Sequence, residues 1–156
     1  MTYTRRSVLL ASAASLGVTG LASVAAARTS QLASGTSTLQ TGTVAGIGEP
    51  VLVDGDGMTL YMFEADTQGS GESACTGGCT DAWPPLTVAG EASVSVASTV
   101  TASVATIERA DGQTQVTAEG WPLYRFAGDE EPGDANGQGI DDAWWVLCRC
   151  GRPIRT

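Results

Sequence analysis

The residues of this chain best suited to chemistry are its four cysteines. They fall in two short clusters, Cys75-Thr76-Gly77-Gly78-Cys79 and Cys148-Arg149-Cys150. Thiols so spaced can close disulfides, exchange them, or hold a soft metal. An even count in a small exported chain favours disulfides. A bond from Cys75 to Cys79 across the Gly77-Gly78 turn is the first expectation. Cys148 and Cys150 share one side of a strand, where cysteines one residue apart rarely bond without distortion. Cross-pairing between the clusters therefore stays open. A four-cysteine metal centre is the rival, but its spacings match neither common zinc pattern.

Other chemistry is poorly supplied. There is no histidine, so histidine-ligated haem, copper and zinc are excluded, and a cysteine nucleophile lacks its usual base. No serine elbow or phosphate-cradling glycine loop occurs. Carboxylate pairs can act as acid and base, but 17 acidic residues give no way to choose one pair. Two loops offer hard oxygen ligands, Asp54-Gly55-Asp56-Gly57 and Asp134-Ala135-Asn136-Gly137-Gln138-Gly139. Asp54, Asp56, Asp134 and Asn136 are accordingly weak calcium candidates. The second loop loosely mimics the start of an EF-hand loop, yet carries Trp145 where the closing glutamate belongs. Ordinary turn chemistry accounts for both. Met58 and Met62 fit core packing better than soft-metal ligation. No cofactor and no enzyme activity are expected.

One pattern occurs twice. Leu60-Tyr61-Met62-Phe63-Glu64-Ala65-Asp66 and Leu123-Tyr124-Arg125-Phe126-Ala127-Gly128-Asp129 both read Leu-Tyr-x-Phe-x-x-Asp. In a strand, residues two apart share a face, so Tyr61 with Phe63, and Tyr124 with Phe126, point the same way. Asp66 and Asp129 fall where the strands should end and can bond turn amides. With Trp83 and Trp121 these rings suit either a platform for a flat ligand or a paired aromatic core. Aromatics dominate burial in small domains, which favours the core.

The elements that must position these side chains are strands. Pro50–Val53 and Met58–Phe63 flank an Asp-Gly turn and read as a hairpin. Gln113–Ala118 and Pro122–Phe126 read as a second, with Glu119-Gly120-Trp121 at the bend. Between them, Glu91–Arg109 is rich in β-branched residues and favours strand. Asp129–Asp142 is a long acidic loop, and Ala143–Leu147 closes as an apolar strand. Without a sustained helical period after the N-terminal segment, an all-β fold is expected, a small sandwich or barrel built from two related β-hairpin repeats.

Paired Arg5-Arg6, a mild apolar run and Ala25-Ala26-Ala27 make residues 1–27 a twin-arginine-type signal peptide. A retained membrane helix is the alternative, weakened by Gly17, Gly20 and many hydroxyl residues. Residues 28–40 read as a flexible lead-in and 41–156 as a single all-β repeat domain. Losing Arg5 and Arg6 takes the charge from −9 to −11. An acidic, lysine-free exported chain disfavours nucleic acid and anionic membranes, and no membrane span is expected after cleavage. It suits a halophile's surface, because concentrated salt screens carboxylate repulsion.

The dispersed motifs resemble those of a family of secreted repeat proteins, often lipoproteins, named for a Tyr-x-aromatic-x-x-Asp motif. The resemblance spans about Thr41 to Ile154. It rests on both Tyr-x-Phe-x-x-Asp copies, Cys75-x-x-x-Cys79-x-x-x-Trp83-Pro84-Pro85-Leu86, Arg109-x-Asp111-Gly112-x-x-Gln115-Val116-Thr117, Gly120-Trp121-Pro122, and Pro132-Gly133-Asp134-x-Asn136-Gly137-Gln138-Gly139. It implies an exported, envelope-associated protein without a defined enzyme activity. A non-catalytic module binding a protein or small ligand at the cell surface is the leading expectation. An extracytoplasmic redox or electron-transfer accessory, using a cysteine pair or bound cofactor, is the alternative. The chain departs from the pattern in lacking a lipid-attachment cysteine, and in placing Cys148 and Cys150 where a plain strand and turn are expected.

Overall fold

The computed structural model describes residues 37–156; the expected signal peptide and most of the expected lead-in lie outside the described residues. Eight short strands carry the fold. In chain order they are β1 (Leu39–Gly42), β2 (Val51–Asp54), β3 (Tyr61–Phe63), β4 (Thr87–Val88), β5 (Val104–Glu108), β6 (Thr114–Ala118), β7 (Trp121–Pro122) and β8 (Trp144–Val146). One helical turn, α1 (Cys79–Ala82), and two 3-10 turns, Glu91–Ser93 and Ile140–Asp142, complete it. The described fold is all-β and sandwich-like, with no closed barrel.

β1 and β2 pair antiparallel from Leu39↔Asp54 to Gly42↔Val51. Leu39 is fully buried. β1 therefore lies partly inside the segment expected as lead-in, with its leucine packed into the core. β6 lies between β5 and β4 and also pairs with β7. Glu119 and Gly120, both at positive φ, make the two-residue turn that joins β6 to β7. Of the stretch expected as strand from Glu91 to Arg109, only β5 is one. Its first residues form a 3-10 turn, and Val94–Ser103 lays apolar side chains on the core, with the isolated Leu39↔Val96 bridge to β1 in place of a ladder.

Both expected hairpins form, and each closes against the other's sequence copy. Leu60 N–H donates to Leu52 O at 3.1 Å, and Leu123 N–H to Val116 O at 3.0 Å. β3 then pairs with β8, Tyr61 opposite Val146. In the other copy, Tyr124 bridges Pro85 and Leu86 N–H donates to Leu123 O at 2.9 Å. The closing segment of each copy thus completes the ladder of the other. Tyr61 N–H donates to Tyr124 O at 2.8 Å and Tyr124 N–H to Tyr61 O at 3.0 Å, so an approximate two-fold axis runs between the tyrosines.

Strand alternation sends successive side chains into two cores. Tyr61, Tyr124, Trp83 and Trp144 build an aromatic cluster with Val51, Val53 and Cys75. Leu60, Met62, Leu123, Leu52, Val116 and Leu147 build an aliphatic one. Both faces of the central ribbons are therefore covered.

Candidate functional site

The repeated motif residues meet along the two-fold axis. Tyr61 Oη donates to Asp129 Oδ2 at 2.7 Å, and Tyr124 Oη donates to Asp66 Oδ2 at 2.7 Å. Each phenol thus bonds the aspartate of the other copy. The second carboxylate oxygens take turn amides, Asp66 Oδ1 from Ala74 N–H at 2.6 Å and Asp129 Oδ1 from Asn136 N–H at 2.8 Å. Both aspartates are buried, and hydrogen-bonded partners are what make a buried carboxylate tolerable.

The rings cross in the same way. Phe63 stacks on Trp144 with centroids 4.2 Å apart, Trp144 on Trp83 at 3.7 Å, and Trp83 on Phe126 at 4.4 Å. Tyr61 meets Trp83 edge-on at 5.4 Å and Tyr124 meets Trp144 edge-on at 5.2 Å. Edge-to-face and stacked pairs of this kind add to area burial. Both tyrosines and both stacked tryptophans are buried, while Phe63 and Phe126 keep partly exposed edges.

Burial above all, then the bond to Asp129, holds the Tyr61 phenol well above its ordinary ionisation range. Burial does the same for Tyr124, aided by the nearby Asp66 charge. Burial also raises Asp66, against the opposing pull of Ala74 N–H, Tyr124 and Arg109. Ser73 Oγ lies 2.5 Å from Tyr124 Oη and is the donor there, since the phenol proton is committed to Asp66. Arg109 in turn donates to Ser73 Oγ and Gln115 Oε1, both at 2.8 Å, and to Cys75 O at 2.7 Å. A buried guanidinium and a buried carboxylate are so joined through two hydroxyls.

Of the motif aromatics read from sequence, Tyr61, Phe63, Tyr124, Phe126 and Trp83 converge here with Asp66 and Asp129. Trp121 does not; it flanks the aliphatic cluster from β7. Sequence reasoning missed Trp144 as Trp83's counterpart, though each follows its copy's tyrosine at a similar distance. It did not name Ser73, and it quoted Arg109 and Gly137 as motif residues without placing them at the tyrosines.

The calcium candidates are otherwise engaged. Asp54 is fully buried, its Oδ1 accepting from Asp56 N–H at 2.8 Å and Met58 N–H at 3.0 Å, its Oδ2 ion-paired with Arg125. Asp56 faces the same arginine at 3.4 Å. Asp134 Oδ2 accepts from Glu130 and Glu131 N–H, and Asn136 donates to Asp129 Oδ1 and Gly128 O. Among the described residues no group of three or more His, Cys, Asp or Glu side chains is arranged to hold an ion.

Both cysteine clusters are bonded internally. Cys75 pairs with Cys79, as expected, and Cys148 pairs with Cys150. The second bond corrects the expectation drawn from strand geometry: β8 ends at Val146, and the chain turns at Cys148, Gly151 N–H donating to Cys148 O at 2.8 Å. The turn brings together two sulfurs that a straight strand would keep apart. Cross-pairing does not occur.

A family model described as a secreted repeat of unknown function matches residues 43–87 and 105–148, together more than half the chain. The chain belongs to this secreted-repeat family. The two matched stretches are the two structural copies, and membership gives the secreted repeat an extracytoplasmic location. Comparison with curated proteins and with solved structures gave no match. Among the described residues, no helix is long and apolar enough to cross a membrane.

Proposed function

We propose that this secreted repeat is a non-catalytic interaction module of the cell envelope, exported by the twin-arginine route, in which the repeated motif is the scaffold. The observation that carries this reading is the crossed set of Tyr61–Asp129 and Tyr124–Asp66 bonds around the Trp83–Trp144 stack. Groups so engaged are buried and turned toward one another, which favours recognition at the surface. Twin-arginine export handles folded proteins, and a core whose two halves complete each other suits folding before export.

The test is saturable binding of the purified exported protein to isolated cell envelopes, followed by co-sedimentation. The reading expects saturable retention that is unchanged by Phe63→Leu at temperatures where that variant stays folded. Retention that never saturates would contradict the proposal. So would turnover of an envelope component with time.

A further inference from the structure

The two disulfides sit in different chemical surroundings. Cys75–Cys79 joins one buried and one half-buried residue, and no hydrogen bond to either sulfur is found among the described residues. Cys148–Cys150 has the same division of burial, but its sulfurs face donors. Cys150 N–H points at Cys148 Sγ at 3.2 Å and Arg152 N–H at 3.4 Å. Arg152 Nε–H points at Cys150 Sγ at 3.4 Å. Such groups are weak partners for a disulfide sulfur and strong ones for a thiolate.

The backbone holds these donors in place without the sulfurs. Cys148 N–H donates to Arg152 O, and Arg149 N–H to Pro50 O, both at 2.9 Å. Arg149 O accepts from Thr101 N–H at 2.9 Å and Ala102 N–H at 3.1 Å. Gly151 turns the chain at φ 76° and lies so close to the neighbouring segment that a Cβ there would meet Glu119 Cγ at 2.6 Å. The reduced pair would therefore find its donors already arranged.

Charge favours the same state. Three of the eight cations of this acidic chain, Arg149, Arg152 and Arg155, follow Cys148 before the C-terminus, with no acid among them. Arg155 is clamped by Glu64, leaving Arg152 as the cation that faces the sulfurs. The acids facing the pair are Glu49 and Glu119, and Glu119 is engaged with Ser103 N–H at 2.6 Å. Cys150 opens into a cleft of about 510 Å³ with Trp121 and Arg152 on its walls. As a staple the bond has little to do, since it closes the shortest of loops.

We propose that Cys148–Cys150 is a thiol–disulfide exchange site that accepts electrons from a partner dithiol outside the cytoplasm. One partner thiol, as thiolate, attacks Sγ of Cys150, the half-buried residue that lines the cleft. The Cys148–Cys150 bond breaks and its electron pair passes to Cys148 Sγ, which the Cys150 and Arg152 amides receive. The partner's second thiolate then attacks the partner sulfur of the mixed disulfide, releasing Cys150 as a thiolate beside Arg152. The partner leaves as a disulfide, oxidised by two electrons; Cys148 and Cys150 hold those electrons, and the partner's two protons go to solvent or to the released sulfurs. This inference goes beyond the binding reading and does not depend on it.

The test equilibrates the exported protein in graded mixtures of reduced and oxidised glutathione, traps thiols by alkylation, and locates them by peptide mass spectrometry. Cys148–Cys150 is expected to open in buffers about tenfold less reducing than Cys75–Cys79 requires. Arg152→Gln should narrow that gap about threefold and leave Cys75–Cys79 where it was. In single variants challenged with oxidised glutathione, Cys150 in Cys148→Ser should form the mixed disulfide readily, and Cys148 in Cys150→Ser should resist. Equal or reversed opening of the two bonds overturns the proposal, as does an Arg152→Gln variant indistinguishable from the parent.

Discussion

The two copies of the repeat reach the same latch by different supports. In copy one, the chain after Asp66 runs into the Cys75–Cys79 disulfide and the helical turn α1 before delivering Trp83 to the stack. In copy two, the chain between Asp129 and Trp144 carries no covalent tie. Gln138 holds its loop instead, donating to Ile154 O at 2.6 Å and accepting from Val146 N–H at 2.8 Å, and a 3-10 turn delivers Trp144. The phenol of Tyr124 is reached by Ser73 and, behind it, Arg109; that of Tyr61 takes Gly137 N–H at 3.2 Å. The latch tolerates either solution because its own geometry is set by the strand bridge between the tyrosines. What differs is only how each loop is kept from drifting.

This comparison predicts interdependence first. Each copy borrows a closing segment from the other, so either half expressed alone should show no cooperative unfolding transition by circular dichroism, whereas mixing the halves should restore one. A stable isolated half would break the comparison outright. A smaller effect separates the copies. A Cβ on Gly137 would meet Trp83 Cη2 at 2.7 Å and Tyr61 Cε1 at 3.0 Å. Gly137→Ala should therefore lower stability by about 2 kcal/mol in urea unfolding. Gly78→Ala in the copy-one loop, where a Cβ meets nothing within 4 Å, should be close to neutral.

Ionisation sharpens the contrast further. A phenol raised by burial contributes stability that is present below its ordinary value of 10.0 and is lost as pH rises through the folded value. In a Tyr3→Phe chain, which leaves Tyr61 and Tyr124 as the remaining tyrosines, phenolate absorbance should appear only together with unfolding. Asp66, raised from 3.8, follows the same sign: its contribution is complete below 3.8 and declines as pH rises through its raised folded value. Asp66→Asn, neutral at every pH, should flatten that part of the acid-side stability profile.

Much of this was legible in the sequence, for identifiable reasons. Two-residue alternation around Tyr61 and Tyr124 specified which side chains share a face, and Asp-Gly and Glu-Gly pairs marked both hairpin turns. The Tyr-x-Phe-x-x-Asp repeat announced a shared aromatic core. Its crossing was not legible, because nothing local says which aspartate a phenol will reach. Trp121 groups with the motif aromatics in the sequence, but the ring that stacks on Trp83 is Trp144, set by the ladder between β3 and β8. Leu39 hid in a polar stretch whose composition reads as loose. The Cys148–Cys150 bond was misjudged because strand geometry was carried one turn too far.

Double-mutant cycles on the latch test the account most directly. Urea unfolding of Tyr61→Phe, Tyr124→Phe, Asp66→Asn and Asp129→Asn, singly and in pairs, yields four coupling energies. Coupling of about 1–2 kcal/mol is expected for Tyr61 with Asp129 and for Tyr124 with Asp66, with less than about 0.5 kcal/mol for Tyr61 with Asp66 and Tyr124 with Asp129. Coupling within each copy, and additivity between copies, would contradict the crossed latch.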